Sequence, residues 1–230
     1  MKILIQGATT DEINLLIQHF QAEKQTQIAG YKFWESNYGK HSIIISLTEK
    51  GIINASIATT IAAQTYKPDL IINQGCAGGH VQSLKLGDIV VGEYTKYIND
   101  FKTPQKNIGE GSSSLNWTPH TSRSYVTPST QQYIELAKQV KTPNQIYFGS
   151  LGSADTFSRE CDRINYLHSY FNHLCEDMES AAAMKVCDEF DIDRISFRII
   201  SNNELTLIPF DASTRKDMQQ FVIDFIDLIK

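Results

Sequence analysis

Runs of apolar, β-branched residues alternate along the chain with segments whose apolar residues recur at helical spacing. The runs predict buried strands and the spaced segments predict helices. Predicted strands cover residues 2–8, 41–48, 69–75, 86–97, 145–153 and 194–201. Predicted helices cover residues 10–20, 54–66, 129–140, 159–171, 178–190 and 217–229. This alternation predicts an α/β fold around a mostly parallel central sheet.

Residues 98–128 depart from this pattern because Gly, Ser, Asn, Thr and Pro are concentrated there. Such a composition is typical of irregular chain, and we expect a mobile loop or lid between the neighbouring elements. The whole chain has 230 residues, of which 41% are hydrophobic. That length and composition predict a single domain spanning residues 1–230.

Composition excludes several classes of partner. The net charge is −5 and no Lys/Arg cluster is present, which argues against a nucleic-acid partner. The N-terminal apolar run is too short for a signal peptide or a membrane span. The four cysteines show no CxxC spacing and the six histidines show no metal-ligand spacing. We therefore expect a cytoplasmic protein with reduced thiols, no membrane partner and no bound metal.

Four polar segments could carry chemistry, and all but "EDMES", which precedes a predicted helix, follow or interrupt predicted strands, at the position where ligands bind in α/β proteins. They are "GATTDE" (7–12), "NQGCAGG" (73–79), "EDMES" (176–180) and "SNN" (201–203). Taken singly, each has a structural explanation. The glycines of 73–79 favour a tight turn, and serine and asparagine are ordinary turn residues. The functional alternative for the glycines is a close approach of the backbone to a ligand.

The carboxylates of these segments also allow two interpretations. Thr9 and Glu12 fit the spacing of a capping box, and Asp177 can cap the helix that follows it. Glu179 would favour the positive end of that helix. Alternatively, Glu12 is a general base for water, and Glu179 accepts hydrogen bonds from a sugar diol.

In this order the segments resemble the nucleoside phosphorylase and nucleosidase superfamily. The resemblance covers nearly the whole chain and includes "DLIINQGCAGG…LKLGDIVVGE", "GSADTF", "MES" and "RIIS". It is closest to the hydrolytic branch, the methylthioadenosine/S-adenosylhomocysteine nucleosidases and the futalosine hydrolases. It implies a three-layer α/β/α fold with a mixed central sheet, assembled as a homodimer or larger homo-oligomer. It also implies a purine nucleoside substrate, with no metal and no redox cofactor.

On the sugar side, the resemblance implies roles for three residues. Glu12 would orient and activate the attacking water. Met178 would pack under the sugar, and Glu179 would bind its 2′ and 3′ hydroxyls.

On the base side, the resemblance implies roles for five more residues. Ala77 and Gly78 would line the ribose and base site. Phe157 would stack on the purine, and the backbone of Ser158 would bond the edge of the base. Ser201 would support the residue that faces N7.

The residue facing N7 is where this sequence departs from the pattern. Methylthioadenosine nucleosidases have an aspartic acid there, whereas this chain has Asn202. An asparagine amide can donate to O6 of a 6-oxopurine and accept from N7–H. Futalosine, an intermediate of menaquinone biosynthesis, carries hypoxanthine, a 6-oxopurine, and a carboxyphenyl-ketone arm at C5′. Asn202 therefore favours futalosine, although an amide can also flip to suit adenine.

The reaction type has its own alternatives. A phosphorylase holds phosphate beside C1′ with arginines, and the first 122 residues contain none. Glu12 beside C1′ would repel phosphate and suit water, which favours hydrolysis. A methylthioadenosine/S-adenosylhomocysteine nucleosidase and a phosphorylase remain alternatives. So does a nucleoside-binding module without catalysis, because an asparagine cannot deliver a proton as an aspartic acid does.

Overall fold

The computed structural model describes residues 1–120 and 126–230. The strands in these ranges are β1 (Lys2–Gly7), β2 (Lys24–Ile28), β3 (Tyr31–Tyr38), β4 (His41–Leu47), β5 (Leu70–Gly79), β6 (Ile89–Tyr97), β7 (Phe101–Lys102), β8 (Thr118–Pro119), β9 (Val126–Pro128), β10 (Ile146–Ser153), β11 (His173–Asp177) and β12 (Asp193–Asn202). The α-helices are α1 (Asn14–His19), α2 (Ile52–Tyr66), α3 (Gln131–Ala137), α4 (Cys161–Phe171), α5 (Ser180–Glu189) and α6 (Arg215–Asp227).

A mixed central sheet carries the strand order β11-β10-β6-β12-β5-β1-β4-β3-β2. Strand β1 pairs in parallel with β4 and β5, and β5 pairs in parallel with β12. Strand β12 runs antiparallel to β6, and the edge strands β2 and β3 are antiparallel as well. At its far end β5 also pairs with β11, so β5, β12, β6, β10 and β11 close into a ring. The closure brings the end of β11 to the carboxyl ends of β5 and β12.

Helices cover both faces of this sheet, as the alternation of strand side chains requires. Ile3 and Ile5 of β1 belong to a core shared with α1, α3 and α6. Leu4, between them, belongs to the opposite core, with Ala62 of α2 and Met184 of α5. The three layers and the mixed sheet confirm the predicted α/β/α fold.

The prediction of a glycine turn after residue 75 is wrong. Strand β5 continues through Gly75, Gly78 and Gly79 and keeps its pairing with β12 to Gly78. None of these three glycines has a positive φ. Glycine is required at these positions because neighbouring side chains leave no room for a Cβ atom. A Cβ on Gly75, for example, would lie 2.9 Å from Oε1 of Glu12.

Three strands lie in segments that the pattern left unassigned. In β2, "KQTQI", no residue is fully buried, and β3 is only partly buried, so neither shows an apolar run. Strand β11, "HLCED", is short and ends in two acids, although its last three residues are buried. Edge position and brevity therefore hid them from a pattern based on apolar runs. The predicted helix 10–20 instead begins with a 3₁₀ turn (Thr10–Glu12) before α1.

The predicted loop 98–128 is more regular than expected. It contains the hairpin of β7 and β8, a 3₁₀ turn and strand β9, while residues 121–125 lie outside the described part. Arg163 of α4 holds this segment, with its guanidinium 4.4 Å from the centre of the Phe101 ring and a hydrogen bond of 3.2 Å to the Ser114 carbonyl. Within residues 1–120 and 126–230, no helix is long and apolar enough to cross a membrane.

Candidate active site

A cleft of about 380 Å³ opens where the carboxyl ends of β1, β5 and β12 meet β11. Eight of the nine sequence-predicted site residues line it: Glu12, Ala77, Gly78, Phe157, Met178, Glu179, Ser201 and Asn202. The ninth, Ser158, lines an adjoining cavity of about 430 Å³. The two spaces share Phe157 and Glu176 as common walls. Residues separated by up to 190 positions are thus assembled around one volume large enough for a nucleoside.

Glu12 is buried and held by three backbone N–H groups. Its Oε2 accepts from Ala8 and Thr9 at 3.0 Å each, and its Oε1 accepts from Cys76 at 3.2 Å. The bond to Thr9 is the capping contact that the spacing predicted. The bond to Cys76 is different, because it ties the carboxylate to β5 inside the cleft. Glu12 is therefore both a cap and a carboxylate fixed at the wall of the cleft.

Glu179 is a second buried carboxylate on the cleft wall, at the start of α5. Its Oε1 accepts a hydrogen bond of 3.0 Å from the Gly51 N–H. Burial raises the pKa of Glu179 to about 7, and the neighbouring charge of Asp177 adds to the rise while Arg198 opposes it. The carboxylate is therefore poised between its two protonation states near neutral pH.

A buried ion pair behind Glu179 fixes its position. Arg198 of β12 is 1% exposed, and its Nε lies 3.1 Å from Oδ2 of Asp177. Asp177 Oδ1 also accepts the N–H groups of Glu179 and Ser180 at 2.9 Å each, which caps α5. Asp177 is therefore occupied by structural contacts, which leaves Glu179 to face the cleft. The sequence signal for the pair was Arg198 itself, a charged residue inside an apolar strand.

The three polar residues at the end of β12 have different surroundings: one has a structural role and two belong to the wall of the cleft. Asn203 is structural: its amide donates to the carbonyls of Val81 and Leu84 at 2.9 Å each. Asn202 is buried at the cleft wall over Gly78, where an added Cβ would lie 3.2 Å from Nδ2 of Asn202. The Ser201 hydroxyl lies 3.1 Å from Oδ1 of Asn202. The turn interpretation therefore fits Asn203, whereas Asn202 faces the cleft and is oriented by Ser201.

Phe157 and Ser158 stand at the boundary of the two cavities. Phe157 is 53% exposed, so one face of its ring is open to a ligand. Ser158 is buried, and its N–H donates to Oε2 of Glu176 at 2.8 Å. The resemblance implied that the Ser158 backbone bonds the base; here its N–H already has a carboxylate partner. Met178 is half-buried in the cleft between Asp177 and Glu179.

Further residues of the cleft to which the sequence assigned no role include Lys50, Cys76, Phe210 and Arg215. Burial raises the pKa of the Cys76 thiol, and the Glu12 carboxylate adds to the rise, so this cysteine is a neutral thiol. Arg215 bonds Asp11 at 3.0 Å and lies 5.7 Å from the centre of the Phe210 ring. Lys50 directly precedes Gly51, the partner of Glu179. Arg215 thus lies near Glu12, and Lys50 lies near Glu179.

Comparison with known proteins agrees with this fold. The family profile described as Phosphorylase superfamily matches residues 2–227. The 5'-methylthioadenosine/S-adenosylhomocysteine nucleosidase of Tolumonas auensis is 30% identical over 206 residues, which cover 88% of this chain and 86% of that protein.

Two solved structures from Helicobacter pylori share the fold. A mutant of its 5'-methylthioadenosine nucleosidase, with 5'-methylthioadenosine in the active site, superposes with a TM-score of 0.83 at 22% identity and 98% coverage of both chains. Its futalosine hydrolase superposes with a TM-score of 0.83 at 22% identity, covering 99% of this chain and 97% of that chain. The chain therefore belongs to the phosphorylase superfamily, and within it to the hydrolytic branch of N-glycosidic nucleosidases.

Proposed function

We propose that the protein hydrolyses the C1′–N9 bond of futalosine, releasing hypoxanthine and the dehypoxanthinyl sugar of menaquinone biosynthesis. The observation that carries this proposal is Asn202, an amide buried at the cleft wall where a carboxylic acid would suit adenine. An amide offers a donor and an acceptor side by side, and a departing 6-oxopurine that becomes protonated at N7 needs that pair at O6 and N7–H.

The carboxylates of the cleft supply the sugar chemistry. Cleavage of an N-glycosidic bond develops positive charge on the ribose, which nearby carboxylates stabilise. Glu12, held by three N–H groups, orients a water molecule towards C1′ and accepts its proton. Glu179, fixed by Gly51, accepts hydrogen bonds from the 2′ and 3′ hydroxyls. Negative charge develops on the purine as the C1′–N9 bond breaks, and the NH₂ group of Asn202 donates to O6. N7 takes up a proton from solvent, which balances the proton that the water gives to Glu12, and the new N7–H donates to the Asn202 oxygen.

The composition of the cleft also suits the arm of futalosine. Lys50, Arg215 and the half-exposed ring of Phe210 line the same cleft as the two carboxylates proposed for the sugar chemistry. An arm that ends in an aryl carboxylate would stack on Phe210 and pair with these cations. A methylthio group would leave both cations without a ligand partner.

A second candidate is the hydrolysis of 5'-methylthioadenosine or S-adenosylhomocysteine. The observation in its favour is that the curated relatives carry this name, the Tolumonas auensis protein at 30% identity among them. For this reaction, the Asn202 amide would turn over, donate to N7 and accept from the 6-amino group.

The substitution Asn202→Asp separates the two candidates. A carboxylate facing O6 is unfavourable for hypoxanthine, whereas an aspartic acid gives adenine the donor and acceptor that it needs. We expect the ratio of kcat/KM for futalosine over its 6-amino analogue to fall on the order of 10- to 100-fold. Both nucleosides carry the same arm, so contacts at C5′ cancel in the ratio. An unchanged ratio, with both substrates slowed equally, would contradict base reading by Asn202.

A further inference from the structure

The turn that follows β12 places a carboxylate against the side-chain amide of Asn202. Glu204 begins a 3₁₀ turn (Glu204–Thr206), and its Oε1 lies 3.4 Å from Nδ2 of Asn202. The Glu204 side chain is 19% exposed and is not among the residues that line the cleft. Its contact therefore reaches the Asn202 amide from outside the cleft, on the side away from a ligand.

The turn fixes the position of this carboxylate. The backbone N–H groups of Asn203 and Ile208 each donate to the carbonyl of the other residue, at 3.0 and 2.9 Å. Oδ1 of Asn203 accepts the N–H of Leu205 at 3.1 Å, and the Asn203 amide is bound to the connection between β5 and β6. Nε of Arg159 lies 3.5 Å from the same Oε1 of Glu204. The carboxylate thus has a defined place and a nearby counter-charge.

Ser201, the other partner of the Asn202 side chain, orients the plane of the amide but fits either of its two flipped states. The Ser201 hydroxyl oxygen lies 3.1 Å from Oδ1 of Asn202 and 3.3 Å from the Ala77 carbonyl. It has one hydrogen to donate. If that hydrogen goes to Ala77, the hydroxyl oxygen can accept from an NH₂ group of Asn202 instead. Ser201 alone therefore does not decide which end of the amide faces it.

Glu204 distinguishes the two ends, because an ionised carboxylate only accepts hydrogen bonds. The NH₂ group satisfies it, whereas a flipped amide would place its oxygen against the carboxylate. We infer that Glu204 is a positioning residue that locks the Asn202 amide in one orientation, with the NH₂ group towards Glu204 and the oxygen towards Ser201. The inference rests on the proposed function, since it concerns the residue that reads the base.

The locked orientation matches a 6-oxopurine. The amide oxygen faces Ser201, whose hydroxyl also contacts the Ala77 carbonyl. Ala77 directly follows Cys76, which binds Glu12 on the sugar side of the cleft. In a purine nucleoside, N7 lies closer to the sugar than position 6 does. The amide oxygen therefore meets N7–H, and the second NH₂ hydrogen meets O6. Adenine needs the opposite arrangement at both atoms, which the contact to Glu204 disfavours.

The test is Glu204→Gln, because a glutamine side chain offers both a donor and an acceptor and so suits either end of the Asn202 amide. Kinetics are measured on futalosine and its 6-amino analogue, which share the arm at C5′. We expect kcat/KM for the 6-amino analogue to rise on the order of 10-fold, while kcat/KM for futalosine changes by less than about threefold. A merely structural contact would slow both nucleosides when lost, so a gain for one of them is specific to the lock.

Two further variants complete the test. Glu160→Gln is the matched control, because it removes a nearby carboxylate that lines the adjoining cavity but not the cleft. We expect it to leave kcat/KM for both nucleosides unchanged. Glu204→Ala removes the carboxylate together with its side chain and should also raise kcat/KM for the 6-amino analogue. It keeps the inference testable if Glu204→Gln fails to fold.

The outcomes separate this inference from the proposed function. A wild type that prefers futalosine, with a preference unchanged in the Glu204 variants or with both nucleosides slowed equally, overturns the lock and leaves the proposed function standing. Equal kcat/KM for the two nucleosides in the wild type also overturns the lock alone. A wild type that hydrolyses only 6-amino nucleosides overturns both.

Discussion

Glu12, the proposed general base, is also a helix cap, although sequence patterns treat the two roles as alternatives. It accepts the capping N–H of Thr9, and the same carboxylate reaches across to the N–H of Cys76 in β5. A carboxylate with donors on both oxygens has a fixed orientation, which is what a base that positions water requires. The cap therefore serves the site, because it removes the rotational freedom of the side chain.

Glu12→Gln tests this combination. The amide oxygen can keep the contacts to Ala8 and Thr9, but the NH₂ group then faces the Cys76 N–H, donor against donor. We expect kcat to fall about 100-fold or more because the base is lost. The free energy of unfolding should fall by only ~1–3 kcal/mol, the cost of one buried unpaired donor. Steady-state kinetics and urea denaturation check the two numbers; a variant that melts early yet turns over normally would reduce Glu12 to a cap.

We predict that Glu179 makes the proposed reaction sensitive to pH. Burial raises its pKa to about 7, and only the ionised form accepts from both hydroxyls of the sugar. We expect kcat/KM to fall up to tenfold per pH unit below about 7, with an apparent pKa that belongs to the free enzyme. The pH–rate profile of Glu179→Gln should lack this limb. If the fall of kcat/KM below pH 7 persists in the variant, another group is responsible for it.

The same shift predicts the pH dependence of stability. The native pKa of about 7 lies above the ordinary value of 4.5, so the folded state binds the proton more tightly than the unfolded state. The stabilisation is complete below pH 4.5 and is lost as the pH rises through 7, on the order of 3 kcal/mol. Glu179→Gln should remove this loss. Urea denaturation at pH 5 and pH 8 measures the loss of unfolding free energy between the two pH values. An equal loss in the variant and the wild type would contradict the prediction.

At the scale of elements, the junction of β11, α5 and β12 is the structural centre of the site. Asp177 ends β11, caps α5 and pairs with Arg198 of β12, so a single carboxylate fixes three elements. The segment "EDMES" predicted the cap, since an acid before a helix is a strong local signal. The same segment could not predict the ion pair, because Asp177 and Arg198 are 21 positions apart and only the sheet brings them together.

A double-mutant cycle on this pair tests its structural role. Arg198→Met alone should lower the free energy of unfolding by about 3–5 kcal/mol, because Asp177 is left as a buried, unpaired charge. The double variant Arg198→Met/Asp177→Asn should lose much less free energy of unfolding than the sum of the losses in the two single variants. Lys185→Met, at a partly exposed position of α5, is the control, since its pairs with Asp188 and Glu189 contribute at most ~1 kcal/mol each. Additive effects in the cycle would contradict the buried pairing.

Local patterns predicted elements well where burial was continuous and poorly where it was not. The apolar strands β1, β4 and β12 were found within two residues of their ends. The glycines of β5 were misassigned because a turn and a strand crowded by Glu12 and Asn202 both require glycine. Only the tertiary contacts distinguish these two reasons for the same residue.

At the scale of the molecule, ring closure of the sheet explains which site residues could be foreseen. Motifs at the ends of β1, β5 and β12 point to a common edge, so Glu12 and Asn202 could be predicted from the sequence. Strand β11 enters the cleft by pairing with the end of β5, a non-local contact that no pattern in "HLCED" indicates. Glu176 stands in the segment "EDMES", but its place in the cleft and its bond to Ser158 were hidden for this reason.

The central claim is that this assembly hydrolyses a 6-oxopurine nucleoside, and one measurement tests it directly. Wild-type protein is incubated with futalosine in phosphate-free buffer, and hypoxanthine release is followed while phosphate is added; 5'-methylthioadenosine is run in parallel. We predict hypoxanthine and a free sugar as products, a rate independent of phosphate, and slower release of adenine from 5'-methylthioadenosine. A rate that rises in proportion to phosphate, with a sugar 1-phosphate as product, or faster release of adenine than of hypoxanthine, would contradict the account.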